Sequence, residues 1–75
     1  MKYNTETAIQ DLSLSKREME ILIMVSKGMI SKEISNSLFI SINTVNNHRQ
    51  KILRKLNTKN VIEAINYAKE LGLLN

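Results

Sequence analysis

Only two glycines, at positions 28 and 72, interrupt this 75-residue chain, and it contains no proline. Each glycine follows an apolar-periodic stretch, so both read as helix terminators. A chain with so few breakers has room for helices and short turns and little else, which makes all-α the expected fold class. Seventy-five residues form one small domain, able to bury about 60–65% of the surface its unfolded chain exposes. There is no cysteine and one histidine, so neither a disulfide framework nor a Cys-ligated zinc site can supplement the core. No apolar run approaches the ~18 residues needed to span a membrane, and the opening MKYNTETAIQDL lacks the apolar stretch of a signal peptide. A cytoplasmic location follows as the expectation.

Residues 1–12 are mixed and polar without a sustained period. They read as a tail or the end of a linker, with the domain occupying residues 13–75. Helix 1 opens on Ser15-Lys16-Arg17-Glu18, an S-x-x-E capping box, with Leu14 placed for a hydrophobic staple. Met19, Leu22, Ile23 and Ser26 mark one stripe, and Ile21, Met24 and Val25 widen it, as in a central helix. Helix 2 is short, about Ser31 to Leu38, with Ile34 and Leu38 facing inward. Phe39 and Ile40 are expected to carry apolar contacts into the following turn. Ser41 caps helix 3, which runs to about Leu56 and ends at Asn57 as a left-handed terminator. Helix 4 starts from a second capping box, Asn60 with Glu63, and runs to about Leu71. The expected architecture is thus a compact four-helix domain in which helices 2 and 3 form a helix-turn-helix.

Between Ile34 and Ile62 lie five Lys or Arg residues, one His and no Asp or Glu. Placed 100° apart on helix 3, Val45, Ile52 and Leu56 fall on one buried stripe. Asn43, Asn47, Gln50 and Arg54 lie opposite, with Lys51 beside them and Asn46 at the margin. Amides can pair with base edges and cations neutralise phosphates, so this face suits the major groove of double-stranded DNA. In helix-turn-helix docking the N-terminal part of the second helix reaches the bases. Asn46, Asn47 and Gln50 are therefore the candidate base contacts, with an A·T-containing site mildly expected. Lys51, Arg54 and Lys55 are the candidate phosphate contacts. Thr44 suits a second capping hydroxyl and a phosphate donor equally. His48, beside the apolar stripe, reads as a half-buried packing residue. Arg49 projects toward the apolar arc and is expected to pair with Glu18 or Glu33, because an unpartnered buried charge is costly.

Other functions find less support. Without a second His, a Cys or clustered carboxylates there is no catalytic or metal-binding constellation, and no cofactor is expected. Helix 4 carries Ile62, Ala64, Ile65, Ala68 and Leu71, more apolar residues than one narrow inward stripe requires. A protein-interaction module is therefore the competing reading, although a protein partner gives no reason to exclude every acid from the outer face of helix 3. A membrane-surface role would need a broad Trp/Phe/Leu face that helix 3 lacks.

The chain resembles the DNA-binding domain of the LuxR/GerE family of bacterial transcription regulators. The likeness is carried by LSKREMEIL (14–22), Gly28, KEI (32–34), Leu38, IS (40–41), TV (44–45), His48, Ile52, KL (55–56), Ala64 and GLL (72–74). It covers residues 13–75. The resemblance implies phosphate contacts at Lys32, Thr44 and Lys55, base reading at Asn46, Asn47 and Gln50, and a homodimer through helix 4. For that dimer Ile62, Ile65 and Lys69 are the candidate contacts. It also implies an N-terminal sensor or receiver domain, or else a stand-alone regulator. Three positions depart from the family pattern. Asn46 stands where Lys is usual, Ile30 where Ser or Thr usually caps helix 2, and Val61 where Arg is frequent. Ser31 is expected to replace the missing cap one residue later.

Overall fold

The computed structural model describes residues 14–74, and the polar lead of residues 1–12 lies outside them. Among the described residues there are four α-helices and no strand: α1 Lys16–Ser26, α2 Ser31–Leu38, α3 Ile42–Leu56 and α4 Val61–Glu70. Local chemistry sets each boundary. Ser15 caps α1 with a reciprocal box: its hydroxyl accepts from the Glu18 N–H at 3.0 Å, and the Glu18 carboxylate accepts from the Ser15 N–H at 2.9 Å. Gly28, at φ 89°, turns the chain out of α1, and the Gly28 N–H closes on the Val25 carbonyl at 2.9 Å. Ser41 caps α3 through the Thr44 N–H at 3.0 Å, and Asn57 ends it at φ 55°, both as the sequence implied.

Two caps differ from expectation. The N-cap of α2 is Ile30, which has no side-chain acceptor to offer, and Ser31 does not replace it. Glu33 supplies the remaining half of the motif by accepting from the Ile30 N–H at 2.9 Å. At α4, Asn60 accepts from the Glu63 N–H at 2.9 Å, but Glu63 reaches past Asn60 to the Lys59 N–H at 3.0 Å.

The core is contributed by all four helices: Ile21, Leu22 and Val25 from α1, Ile34 from α2, Val45, Ile52 and Leu56 from α3, and Ala64 and Ala68 from α4, closed by Leu14. α3 packs on both α1 and α2, and α4 packs across α3 and α1. The small Ala64 and Ala68 are almost fully buried, so their close approach is used inside the domain. On α1 the buried stripe is Glu18, Ile21, Leu22 and Val25, with Ile23 36% exposed. It is displaced from the Met19, Leu22, Ile23 and Ser26 stripe that apolar periodicity favoured. A carboxylate sits inside the true stripe, and that charge hid the register.

Candidate nucleic-acid interface

The turn between α2 and α3 is made by Phe39, Ile40 and Ser41. Phe39 is the C-cap of α2 in the left-handed region, φ 57° and ψ 42°, and the Ile40 N–H then returns to the Ser35 carbonyl at 3.1 Å. Only Ile40 packs against the core. Phe39 is 94% exposed, contrary to the apolar contact expected of it. The backbone reversal aims its side chain away from the domain, and it holds a bulky residue where Gly or Asn is usual.

From this turn α3 presents two faces. Val45, Ile52 and Leu56 are buried, whereas Asn43, Asn46, Asn47, Gln50, Lys51 and Arg54 are exposed. Lys32, on α2, is exposed too. Thr44 is half-buried, with its hydroxyl 2.9 Å from that of Ser41, the residue that caps the helix through the Thr44 N–H. The first turn of α3 carries no acid, and Arg54 and Lys55 lie in its last turn. The positive end of the helix dipole at Ser41 is therefore not neutralised by its own side chains, while the negative end is.

Three residues are placed otherwise than their types suggested. Arg49 forms no ion pair among the described residues. It borders a narrow apolar crevice with Leu22, Val25, Ile52 and Ala64, and its long apolar stem explains how it lies there. The partner of Glu18 is Lys55, whose Nζ lies 2.7 Å from Oε1. Lys55, expected to face outward as a phosphate contact, has a side chain 31% exposed, while that of Glu18 is 4% exposed. Burial pushes the Glu18 carboxyl up, but the hydrogen bonds from Lys55 and Ser15 and the Lys55 charge outweigh it and hold it below the usual glutamate value. Glu33 is occupied at the N-terminus of α2.

One contact was not anticipated. The Ser31 hydroxyl, at the start of α2, donates to Oδ1 of Asn46 on α3 at 2.8 Å. His48 is half-buried, as a packing residue would be, and its Nδ1 is buried without a hydrogen-bond partner among the described residues. On α4, Ile62 is 72% exposed, Lys69 is exposed and Ile65 is half-buried against the core. No group of three or more His, Cys, Asp or Glu among the described residues is placed to hold a metal ion. No helix among them is long and apolar enough to cross a membrane.

The family model described as bacterial regulatory proteins, luxR family, matches residues 12–68. The chain belongs to this family. It is 47% identical over 62 residues to the oxygen regulatory protein NreC of Staphylococcus carnosus, a match covering 83% of this chain and 29% of that protein. It is 40% identical over 75 residues to the transcriptional regulatory protein LiaR of Bacillus subtilis, covering all of this chain and 36% of that one. The crystal structure of the response regulator ChrA, of a heme-sensing two-component system, matches with a TM-score of 0.76 and 34% identity, over 91% of this chain and 36% of that chain. The chain thus spans about a third of the length of these relatives. Its family is that of DNA-binding transcription regulators rather than an enzyme class.

Proposed function

We propose that this chain binds double-stranded DNA sequence-specifically through α3 in the major groove, as the output domain of a bacterial response regulator. The observation that carries this reading is the outer face of α3, where six amide or cationic side chains from Asn43 to Arg54 stand exposed with no acid among them. Asn46 and Asn47, in the N-terminal half, and Gln50, just past the middle, meet base edges. Lys32, Thr44, Lys51 and Arg54 meet phosphates, Thr44 through the hydroxyl that also bonds that of Ser41. Lys55, the remaining cation near that set, is held on Glu18, whose carboxylate offsets its charge. The relatives are about three times as long and two are named as regulators of transcription or response. That supports a receiver domain N-terminal to this one and a cytoplasmic, nucleoid-associated location.

The exposed Ile62, with Lys69 about two turns further on and Ile65 beside them, supports pairing of two copies through α4 on DNA. A two-fold pair reads two related half-sites.

The division of α3 is tested by measuring duplex affinity for two variants on matched and mismatched sites. Arg54→Ala should weaken binding to all sequences alike and reduce the salt slope by about one. Gln50→Ala should lose about 1–3 kcal/mol at its own base pair and relax specificity there. Identical behaviour of the two variants would overturn the assignment.

A further inference from the structure

Asn46 is the exposed amide nearest the start of α2, and it is not free to turn. The Ser31 hydroxyl donates its one proton to Oδ1 of Asn46 across the helix pair, at 2.8 Å. An asparagine that reads adenine must present both ends of its amide to one base edge, Nδ2 donating to N7 and Oδ1 accepting from the N6 amine. With Oδ1 held by Ser31, the outward end of the amide is Nδ2, which can only donate.

We propose that Ser31 is a specificity-determining positioning residue: by bonding Oδ1 of Asn46 it fixes that amide with Nδ2 outward, so that Asn46 selects a G·C pair, whose guanine presents two acceptors, O6 and N7, over the A·T pair read by bidentate contact with adenine. This deepens the DNA-binding reading and rests on it. Asn47 and Gln50, both exposed and tied to no partner in the described hydrogen bonds, keep the amide preference for adenine. The opposite arrangement, Nδ2 donating to the Ser31 oxygen, would turn Oδ1 to the groove and select the donor edges of adenine N6 or cytosine N4. The two arrangements therefore differ in the base edge contacted.

The test is selection from a random duplex pool with the 75-residue chain, its Ser31→Ala and Ser31→Thr variants, and Asn46→Ala to mark the base pair that Asn46 faces. The wild type should select a G·C pair there. Ser31→Ala should shift the preference there toward an A·T pair by roughly three- to tenfold, the net worth of one hydrogen bond, with other positions and the salt slope unchanged. Ser31→Thr, which keeps the hydroxyl, should behave as wild type. Wild-type selection of an A·T pair at the marked position, a wild-type motif unchanged by Ser31→Ala, or an equal loss at every position would each overturn the inference alone. A wild type that selects no sequence at all would remove the DNA-binding reading and this inference with it.

Discussion

Replacing Lys55 with Met should destabilise the fold by an amount that depends on pH. Glu18 has a side chain 4% exposed and accepts from Ser15 N–H at 2.9 Å and from Lys55 Nζ at 2.7 Å. Removing the cation leaves a buried carboxylate with the Ser15 cap as its main remaining support. Breaking a buried pair commonly costs about 3–5 kcal/mol, but two features reduce this figure. Lys55 is nearly a third exposed, so part of its charge is solvated in the native state. Glu18 can also escape by taking up a proton, and neutralising a glutamate of ordinary pKa 4.5 costs about 3.4 kcal/mol at pH 7 and about 0.8 kcal/mol at pH 5. The expected loss is therefore about 2–3 kcal/mol at pH 7, roughly 10–20 °C in Tm for a domain of this size, shrinking to under about 1 kcal/mol at pH 5. Adding Glu18→Gln to Lys55→Met should restore more than half of the pH 7 loss. Urea unfolding of the three proteins at both pH values measures all of these terms. A pH 7 loss below about 0.5 kcal/mol, or a loss equal at the two pH values, would refute the assignment of Lys55 as the partner of Glu18.

Further outcomes follow from the same geometry. Arg49→Met should leave pH 7 stability within about 1 kcal/mol of wild type, because Arg49 has no ion-pair partner among the described residues; a loss as large as that of Lys55→Met would contradict this. Phe39→Asn should stabilise the domain by about 0.5–1 kcal/mol, since Phe39 adopts φ 57° with a side chain 94% exposed and loses almost no burial. A lower Tm for Phe39→Asn would contradict that, and a higher Tm with weaker DNA binding would show that the strained aromatic is retained for function. For the wild type, the Glu18 carboxyl is held below its ordinary value in the folded state. Its contribution is thus fully present above about pH 4.5 and lost as pH falls through the lower folded value. Tm should decline on acidification below pH 4.5 in the wild type, while Lys55→Met should gain relative stability between pH 7 and pH 5.

What could be read from sequence was what nearest neighbours decide. Ser15 with Glu18, Ser41 with Thr44 and the left-handed Asn57 are contacts within one turn, and the spacing of Val45, Ile52 and Leu56 fixes the buried face of α3. Errors arose where a distant residue changed the meaning of a local one. Glu18 sits inside the core stripe of α1 only because Lys55, 37 residues on, neutralises it, so apolar periodicity alone picked the neighbouring stripe. The same partnership left Arg49 with the role of a packed stem rather than an ion-pair partner. Phe39 looked like a core residue by type, but its left-handed backbone turns it outward, and no propensity favours that conformation for Phe. Ser31 and Asn46 are 15 residues apart. The available hint was that both sit at or beside positions where the chain departs from the LuxR/GerE pattern.

The central claim is that the acid-free face of α3 reads a DNA sequence, and selection from a random duplex pool, with affinity followed by anisotropy across a salt series, tests it most directly. The account predicts a recovered motif of two related half-sites and a slope of log K against log salt of about −3 to −4 per domain. A steep slope without any motif would contradict sequence reading by Asn46, Asn47 and Gln50, and no binding at low salt would contradict the claim as a whole.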